Sequence, residues 1–366
     1  MRALKLAVSS FRNLTAQEID LDHDITLIMG DNGQGKSSII EAIWLFSCAK
    51  SFRGATDGDM IAFGKDTATL KFIADCEGVN RNMQINLKRG KRKEIFIGAE
   101  KLSRSADLIG GFVTVLFEPE HLAFISGSPE RRRRAINISL CQCSPVYTKV
   151  LSEYNKILTS RASILKAGYS RQAQETLSVW NEGLCRRGAK LIIDRGRYIE
   201  ELQEAAMPIM QDISSGKEEL SLSYINPFYT KGITEQEIYE KLLLETEKSS
   251  KKDWETGVTN VGPHRDDLDI LIGGVQAKRF ASTGQKRSAV IALKLAECDV
   301  LKERLHVKPV FLLDDVLSEL DEKRKAFILG KIGEYQVIIT DCGKQTPPEG
   351  AAVIKVVEGK TECICT

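Results

Sequence analysis

Gly30-Asp31-Asn32-Gly33-Gln34-Gly35-Lys36-Ser37 has the residue types and spacing of a phosphate-binding loop, G-x-x-x-x-G-K-[ST] in full. Glycines at 30, 33 and 35 let successive backbone N–H groups turn toward an anion. Lys36 can reach the β- and γ-phosphates of ATP, and Ser37 offers a hydroxyl to Mg²⁺. The loop and the adjoining Ser38 are therefore expected to bind nucleotide. A second segment, Val310-Phe-Leu-Leu-Asp314-Asp315, reads as a central strand buried on both faces with carboxylates at its C-terminal edge. Asp314 is expected in the magnesium shell beside Ser37, and Asp315 is placed to orient or deprotonate a water. The plain alternatives are a glycine-rich turn and surface acids that merely end a strand.

A third segment, Ala281-Ser282-Thr283-Gly284-Gln285, opens a helix whose apolar face carries Val290, Ile291, Leu293, Leu295 and Leu301. Its outward amides and positive dipole end suit a second anion. An ordinary N-cap with no ligand is the other reading.

The elements that must position these residues are legible from patterning. Ile25–Met29 is a strand running into the loop, and a helix from Lys36 to about Ala49 carries Ile39, Ile40, Ile43, Trp44 and Phe46. From Ser128 to about Trp254 the periodicity is mostly helical. Ser144-Pro145 starts one helix, whose expected buried face is Tyr147, Val150, Leu151, Tyr154, Leu158 and Leu165. Gly168 can close it, and Thr234 with Glu237 forms a capping box. The longest helical stretch, roughly 171–212, contains Pro208 and could bend or break there. Strand patterns return in DDLDILI, VQAKRFA, KPVFLLDD, QVIITD and AAVIKVV. The expectation is an α/β ATPase head with a mixed β-sheet, its N-terminal part at 1–120 and C-terminal part at 255–366. A compact helical arm at 121–254 is inserted between them.

Composition excludes several classes. With 366 residues, 42% hydrophobic and 28% charged, the chain is neither disordered nor fibrous. No apolar run reaches membrane-spanning length and no signal peptide is visible, so a cytoplasmic protein without membrane association is expected. Nine cysteines lack zinc-ribbon spacing and read as reduced thiols. A net charge of +2 neither demands nor forbids nucleic acid. The Arg89-Gly90-Lys91-Arg92-Lys93 hairpin tip is either solvated or a phosphate contact. Arg131–Arg134, four cations opposing a helix dipole, call for an anionic partner or for intramolecular carboxylates. His264 and Arg265 sit in a turn, either in a structural role with Arg265 paired to a carboxylate or as a nucleotide contact.

A strand-ending Asp pair, Ser318-Glu-Leu-Asp321 after it and a Ser-x-Gly-Gln helix start about thirty residues upstream are similar to the layout of ABC-type ATPases. That resemblance implies that Ser282, Gly284 and Gln285 cap the γ-phosphate bound by a second subunit, in an ATP-dependent head-to-tail homodimer. Many relatives of that class carry Glu where Asp315 stands, and one fewer methylene implies slow, switch-like hydrolysis. Within the class, Ser10-Phe-Arg12-Asn13-Leu14, Pro119-Glu120…Gly127-Ser-Pro-Glu-Arg-Arg-Arg133, Val261-Gly-Pro-His-Arg-Asp-Asp267 and Leu313–Asp321 together resemble the RecF family of bacterial replication and repair ATPases. The resemblance covers nearly the whole chain. It implies a weak DNA-associated ATPase acting as a clamp at gapped or single-stranded DNA and junctions, in DNA repair and the DNA-damage (SOS) response. Recombination-mediator proteins of the same pathway are the implied partners, and Arg12 and Asn13 would sit near the nucleotide. Ala135 and Asn137 depart from the family's aromatic and Asp, which puts that Asp's role in doubt. The runner-up is the ATPase subunit of a membrane transporter. Against it stand Asp341-Cys342, where such subunits place a histidine, and the large helical insertion.

Overall fold

Alternating apolar side chains over the first 120 residues become strands in the computed structural model, which describes residues 1–343 and 347–365. In chain order they are β1 (Arg2–Ser9), β2 (Gln17–Asp20), β3 (Ile25–Met29), α1 (Lys36–Cys48), β4 (Thr67–Cys76), β5 (Val79–Lys88), β6 (Glu94–Ile97), β7 (Glu100–Lys101) and β8 (Thr114–Phe117). The middle of the chain supplies α2 (Pro129–Cys143), α3 (Pro145–Ala167), α4 (Arg171–Ser214), β9 (Leu220–Ile225), α5 (Glu235–Lys248), α6 (Ser250–Thr256), β10 (Asp267–Ile272), β11 (Val275–Gln276) and α7 (Ala277–Phe280). The last stretch holds α8 (Thr283–Leu305), β12 (Val310–Asp314), α9 (Glu322–Lys331), β13 (Val337–Asp341), β14 (Ala352–Val357) and β15 (Lys360–Cys365).

Two compact units result. The first comprises residues 1–123, 209–217 and 283–366. It contains an antiparallel sheet in the order β2-β1-β4-β5-β6-β7 and a mixed sheet in the order β15-β14-β3-β13-β12-β8. In the mixed sheet β14, β3, β13, β12 and β8 are parallel, with β15 antiparallel at the edge. Every residue of β8, β12 and β13 is buried, as expected of parallel strands covered on both faces. Helix α1 packs against β4 of one sheet and β8, β12 and β13 of the other, which buries nearly all of its residues. Phe46 stacks on Phe72 of β4 at 5.0 Å, and Phe72 meets Phe112 edge-on at 4.8 Å.

The second unit comprises residues 124–208 and 218–282. Residues 255–282 therefore group with the helical part and not with the C-terminal stretch, correcting the expected division at 254. The cause is strand pairing: β10 matches β9 along its whole length, from Asp267 against Ile225 to Ile272 against Leu220. VQAKRFA is also not one strand, because after two residues of β11 it turns into the single-turn helix α7. Helix α4 runs unbroken through Pro208. Ser144 and Thr234 cap α3 and α5 as expected, the latter with its full capping box. The buried residues of α3 are Tyr147, Thr148, Tyr154, Ile157, Arg161 and Leu165, so Thr148, Ile157 and a paired arginine replace the flanking Val150, Leu151 and Leu158. Gly188 lets α5 approach α4, since a Cβ there would lie 2.8 Å from Leu242 Cδ2. No described helix is long and apolar enough to cross a membrane.

A buried polar network organises this unit. Arg195 Nη1 donates to Asp266 Oδ2 at 3.0 Å and to the Pro263 carbonyl, and its Nη2 donates to Asn137 Oδ1 at 3.0 Å. Tyr224 and Asn226 also donate to Asp266, and Tyr147 donates to Asn137. Asn137 thus does with an amide oxygen what a carboxylate would do there, while Asp266 supplies the charge that balances Arg195. Of the Arg131–Arg134 cluster, Arg132 forks onto Asp267 at 2.7 and 2.9 Å and Arg133 donates to the Asp266 carbonyl. His264 Nε2 lies 2.9 Å from the Thr259 carbonyl, which can only accept, so Nδ1 accepts from Tyr154 Oη at 2.7 Å. Arg265 donates to the same Thr259 carbonyl, a backbone partner in place of the expected carboxylate.

Replacing Asp266 by Ala leaves Arg195 buried without its counter-charge and should cost about 3–5 kcal/mol, read as a lowered urea midpoint by circular dichroism. A loss below about 1 kcal/mol contradicts this account of the network. Burial also pulls the His264 imidazole down to about 4 from its usual 6.5, so the folded state holds it neutral. Its stability contribution is complete above pH 6.5 and lost as pH falls through 6.5 toward 4, by no more than about 3 kcal/mol. His264→Gln should flatten that acid limb, and an unchanged slope between pH 4 and 6.5 would exclude His264 as its source.

Candidate functional site

The loop expected to bind phosphate lies at the carboxyl end of β3 and runs into α1. Gly33 and Gly35 have φ of +82° and +116°, left-handed values that only glycine adopts at little cost. At Gly35 a Cβ would also stand 2.8 Å from Leu14 Cδ2. The loop thereby ends on the N-terminus of α1, where unbonded amides and the helix dipole favour an anion.

Lys36 is only 3% exposed, and its ammonium donates to the carbonyls of Gly30 at 2.9 Å and Asp31 at 3.2 Å. Asp315 Oδ2 lies 3.9 Å away. The ammonium is thus buried at the centre of the loop, where charge compensation matters most. Ser37 hydrogen-bonds Asp314, whose carboxyl is pushed up by burial. Thr340 ties the acid pair together: its hydroxyl donates to Asp314 Oδ1 at 2.9 Å and accepts from the Asp315 amide at 2.8 Å. Asp315 takes a left-handed φ of +50° and turns the chain away from the strand. Ser37 and Asp314 together offer hard oxygen donors beside the loop, the ligand type Mg²⁺ prefers, so the residues present fit that ion.

Arg12 and Asn13 reach the same place from the turn after β1. Asn13 Nδ2 donates to the Gly33 carbonyl at 2.8 Å, and Ser38 Oγ donates to Asn13 Oδ1 at 3.0 Å. Arg12 instead forks onto the fully buried Glu41 of α1, at 2.8 Å through both nitrogens, and donates to the Asp59 carbonyl. Gln34 and Asn32 are engaged within the fold: the amides of Glu358 and Gly359 donate to Gln34, and Cys342 Sγ lies 3.0 Å from Asn32 Oδ1. The turn of the β14–β15 hairpin is pressed onto the loop, so that a Cβ at Gly359 would meet the Asn13 carbonyl at 2.0 Å.

Of the expected residues, Gly30–Ser38, Arg12, Asn13, Asp314 and Asp315 come together within one unit. Gly284 and Gln285 open α8, and Ser282 closes the other unit. The Gly284 carbonyl accepts from Arg324 Nη2 at 2.9 Å, and Arg324 also pairs with Asp321, the N-cap of α9. Several residues here escaped sequence reasoning. Arg53 lies 3.8 Å from Asp314 Oδ2. Glu118 follows β8, one strand from Asp314, and burial, Glu120 and Asp314 raise its carboxyl to about 7. Position gave a usable hint for Glu118 and Thr340, polar residues at the carboxyl ends of apolar strands; nothing comparable marked Arg53.

Comparison with known proteins extends over the same span. The family model described as RecF/RecN/SMC N terminal domain matches residues 3–364. The DNA replication and repair protein RecF of Lachnoclostridium phytofermentans is 36% identical over 98% of both chains, and that of Agathobacter rectalis is 35% identical over the same shares. A solved structure of the recombination mediator protein RecF with ATP, from the RecFOR pathway, superposes with a TM-score of 0.92 at 34% identity, covering 100% of this chain and 98% of that one. An Smc head bound to a domain of ScpA shares the fold alone, with a TM-score of 0.58 at 15% identity. Identity of this extent, end to end and alongside the phosphate loop and strand-end carboxylates, decides the matter: the chain belongs to the RecF family.

Proposed function

We propose that this chain binds ATP with Mg²⁺ at Gly30–Ser38, dimerises when ATP is bound, and in that state holds DNA at single-stranded gaps. Slow hydrolysis then releases it. The observation carrying this reading is the loop itself, with Lys36 enclosed by its carbonyls and Ser37 bonded to Asp314 at the end of the neighbouring strands. The solved RecF structure with ATP supports the nucleotide, and the relatives named for DNA replication and repair support DNA as the partner. The RecFOR pathway of that solved structure supports recombination-mediator proteins as further partners. Those relatives are repair proteins, so the transporter ATPase considered from sequence has no comparable support.

Each residue has a task in this reading. The loop amides and Lys36 hold the phosphates, and Ser37 and Asp314 hold Mg²⁺, which supplies charge neutralisation at the β- and γ-phosphates. Asp315 orients the attacking water, but its short side chain holds the carboxylate back from it. Ser282, Gly284 and Gln285 serve the nucleotide of the second subunit in a two-fold dimer, where the γ-phosphate gives the α8 start an anion to cap.

Sedimentation and DNA binding, each with and without a non-hydrolysable ATP analogue, test the whole reading. Ser282→Arg should leave ATP affinity within about threefold of the parent while abolishing ATP-dependent dimerisation and DNA retention together. Dimerisation equal to the parent's would reduce the α8 start to an ordinary cap. Asp315→Asn should bind ATP normally, accumulate the ATP-bound dimer and lose roughly tenfold in turnover, less than the roughly 10²–10⁴-fold of a well-placed general base. Full turnover in that variant moves the base elsewhere.

A further inference from the structure

Helix α3 turns one face to solvent, and that face carries no acid. Lys149, Ser152, Lys156, Thr159, Ser163 and Lys166 advance by three and four residues in turn, so they form a single stripe, and all six are exposed. From Lys149 to Lys166 the stripe spans about 25 Å at ~1.5 Å per residue. The one acid in the helix is Glu153, which Arg187 engages at 2.8 Å. Among the described residues the ion pairs of α3 are Glu153–Arg187 and Arg161–Asp253, and neither involves the three lysines. Burial of Tyr147, Tyr154, Ile157 and Leu165 on the opposite face fixes which way the stripe points.

The stripe ends on an aromatic pair. Gly168 closes α3 at a φ of +96°, and Tyr169 follows it, 71% exposed. Trp254 of α6 braces that ring edge-on at 5.4 Å, and its own Nε1 donates to Gln174 Oε1 at 2.8 Å. Gly257, which ends α6, lies against the Lys166 stem, since a Cβ there would stand 3.7 Å from Lys166 Cγ. Lys251 and Lys252 are exposed on α6, with Glu247 and Glu255 as the acids on that side, while Arg171 at the start of α4 pairs with Glu175. A braced, bare ring thus stands where a lane of cations ends. An anionic polymer fits such a lane, because lysines neutralise successive phosphates without reading a base and an aromatic face stacks on any base. An acidic peptide would match the charges and leave the ring without a flat partner. A duplex keeps its bases stacked and offers the ring none.

We propose that the outer face of α3 and the Tyr169 tip hold single-stranded DNA, its phosphates along Lys149, Lys156 and Lys166 and a base stacked on Tyr169. This rests on the DNA-clamp reading above and gives the single strand of a gap its own surface, separate from the nucleotide site. Binding there is indifferent to sequence and sensitive to salt.

Fluorescence anisotropy of the full chain with a non-hydrolysable ATP analogue, titrated against oligothymidylate of about 16 nucleotides, gapped duplex and blunt duplex, tests it. Tyr169→Ala should weaken oligothymidylate binding roughly tenfold and leave the blunt duplex unchanged, while Tyr169→Phe binds as the parent does. Replacing Lys149, Lys156 and Lys166 together by Gln should lower the slope of log affinity against log salt by about 2, at ~0.7 for each phosphate of a single strand. Arginine at the same three positions should keep the slope. ATP affinity should stay at the parent's value in every variant, which shows that the nucleotide-binding unit is intact. Unchanged oligothymidylate affinity in Tyr169→Ala, or an unchanged salt slope in the triple Gln variant, overturns the proposal. Polyglutamate that binds the parent as tightly as oligothymidylate, and is lost with the three lysines, overturns it too and assigns the face to an acidic protein segment. The two levels separate in the parent: if it holds neither gapped duplex nor oligothymidylate with the analogue, the DNA-clamp reading itself fails. If parent and variants hold both equally, only the α3 face is excluded.

Discussion

A buried ammonium sets the terms for the nucleotide-facing half of the molecule. Lys36 is enclosed by the carbonyls of its own loop, and taking a cation out of water costs several kcal/mol unless each N–H finds an acceptor. Meeting that demand requires the loop to curl tightly around the lysine, which only the left-handed glycines at 33 and 35 permit. It also requires that the helix behind the loop cannot shift. Helix α1 satisfies this because apolar side chains lock it between two sheets, Phe46 on one side and the strands β12 and β13 on the other. Packing far from any phosphate thus decides where the amides of the loop point.

The acid pair at the end of β12 extends this arrangement. Thr340 bonds both Asp314 and the Asp315 amide, so the adjacent strand β13 fixes the spacing between the two carboxylates. Six residues further on, Asp321 caps α9 and holds Arg324, which reaches the first two turns of α8 at Gly284 and Ser288. One short segment, 314–324, therefore bonds Thr340 of β13 at one end and the start of α8 at the other.

How much of this the sequence disclosed depends on the kind of signal. The phosphate loop, its strand and helix, and the Asp pair were legible because each couples a motif to a periodic apolar pattern. The mixed sheet followed from uniformly apolar strands. What stayed hidden depends on contacts between distant segments. Arg53 and Glu41 sit in no motif, and their roles arise only when α1 brings Glu41 to Arg12 and the loop after it brings Arg53 to Asp314. Residues 255–282 looked like part of the C-terminal head because their strand pattern matched it. Pairing with β9 is a choice of partner, which periodicity does not encode. Asn137 looked like a loss, and the network around Arg195 shows that an amide oxygen suffices once Asp266 carries the charge.

The turn at Glu358-Gly359 has a consequence for how the chain comes to be made. It braces Gln34 and Asn13, and the bond from Glu358 to Gln34 joins residues 324 apart in sequence. At typical elongation rates of about 5–20 residues per second, the loop leaves the ribosome roughly 15–65 seconds before its brace exists. During that interval the loop lacks this brace, and until residues 310–341 emerge it lacks β12 and β13 as well. A fully braced loop would then mark a chain whose translation has passed Gly359, and a product stalled short of it would leave Gln34 and Asn13 without their partners on this turn.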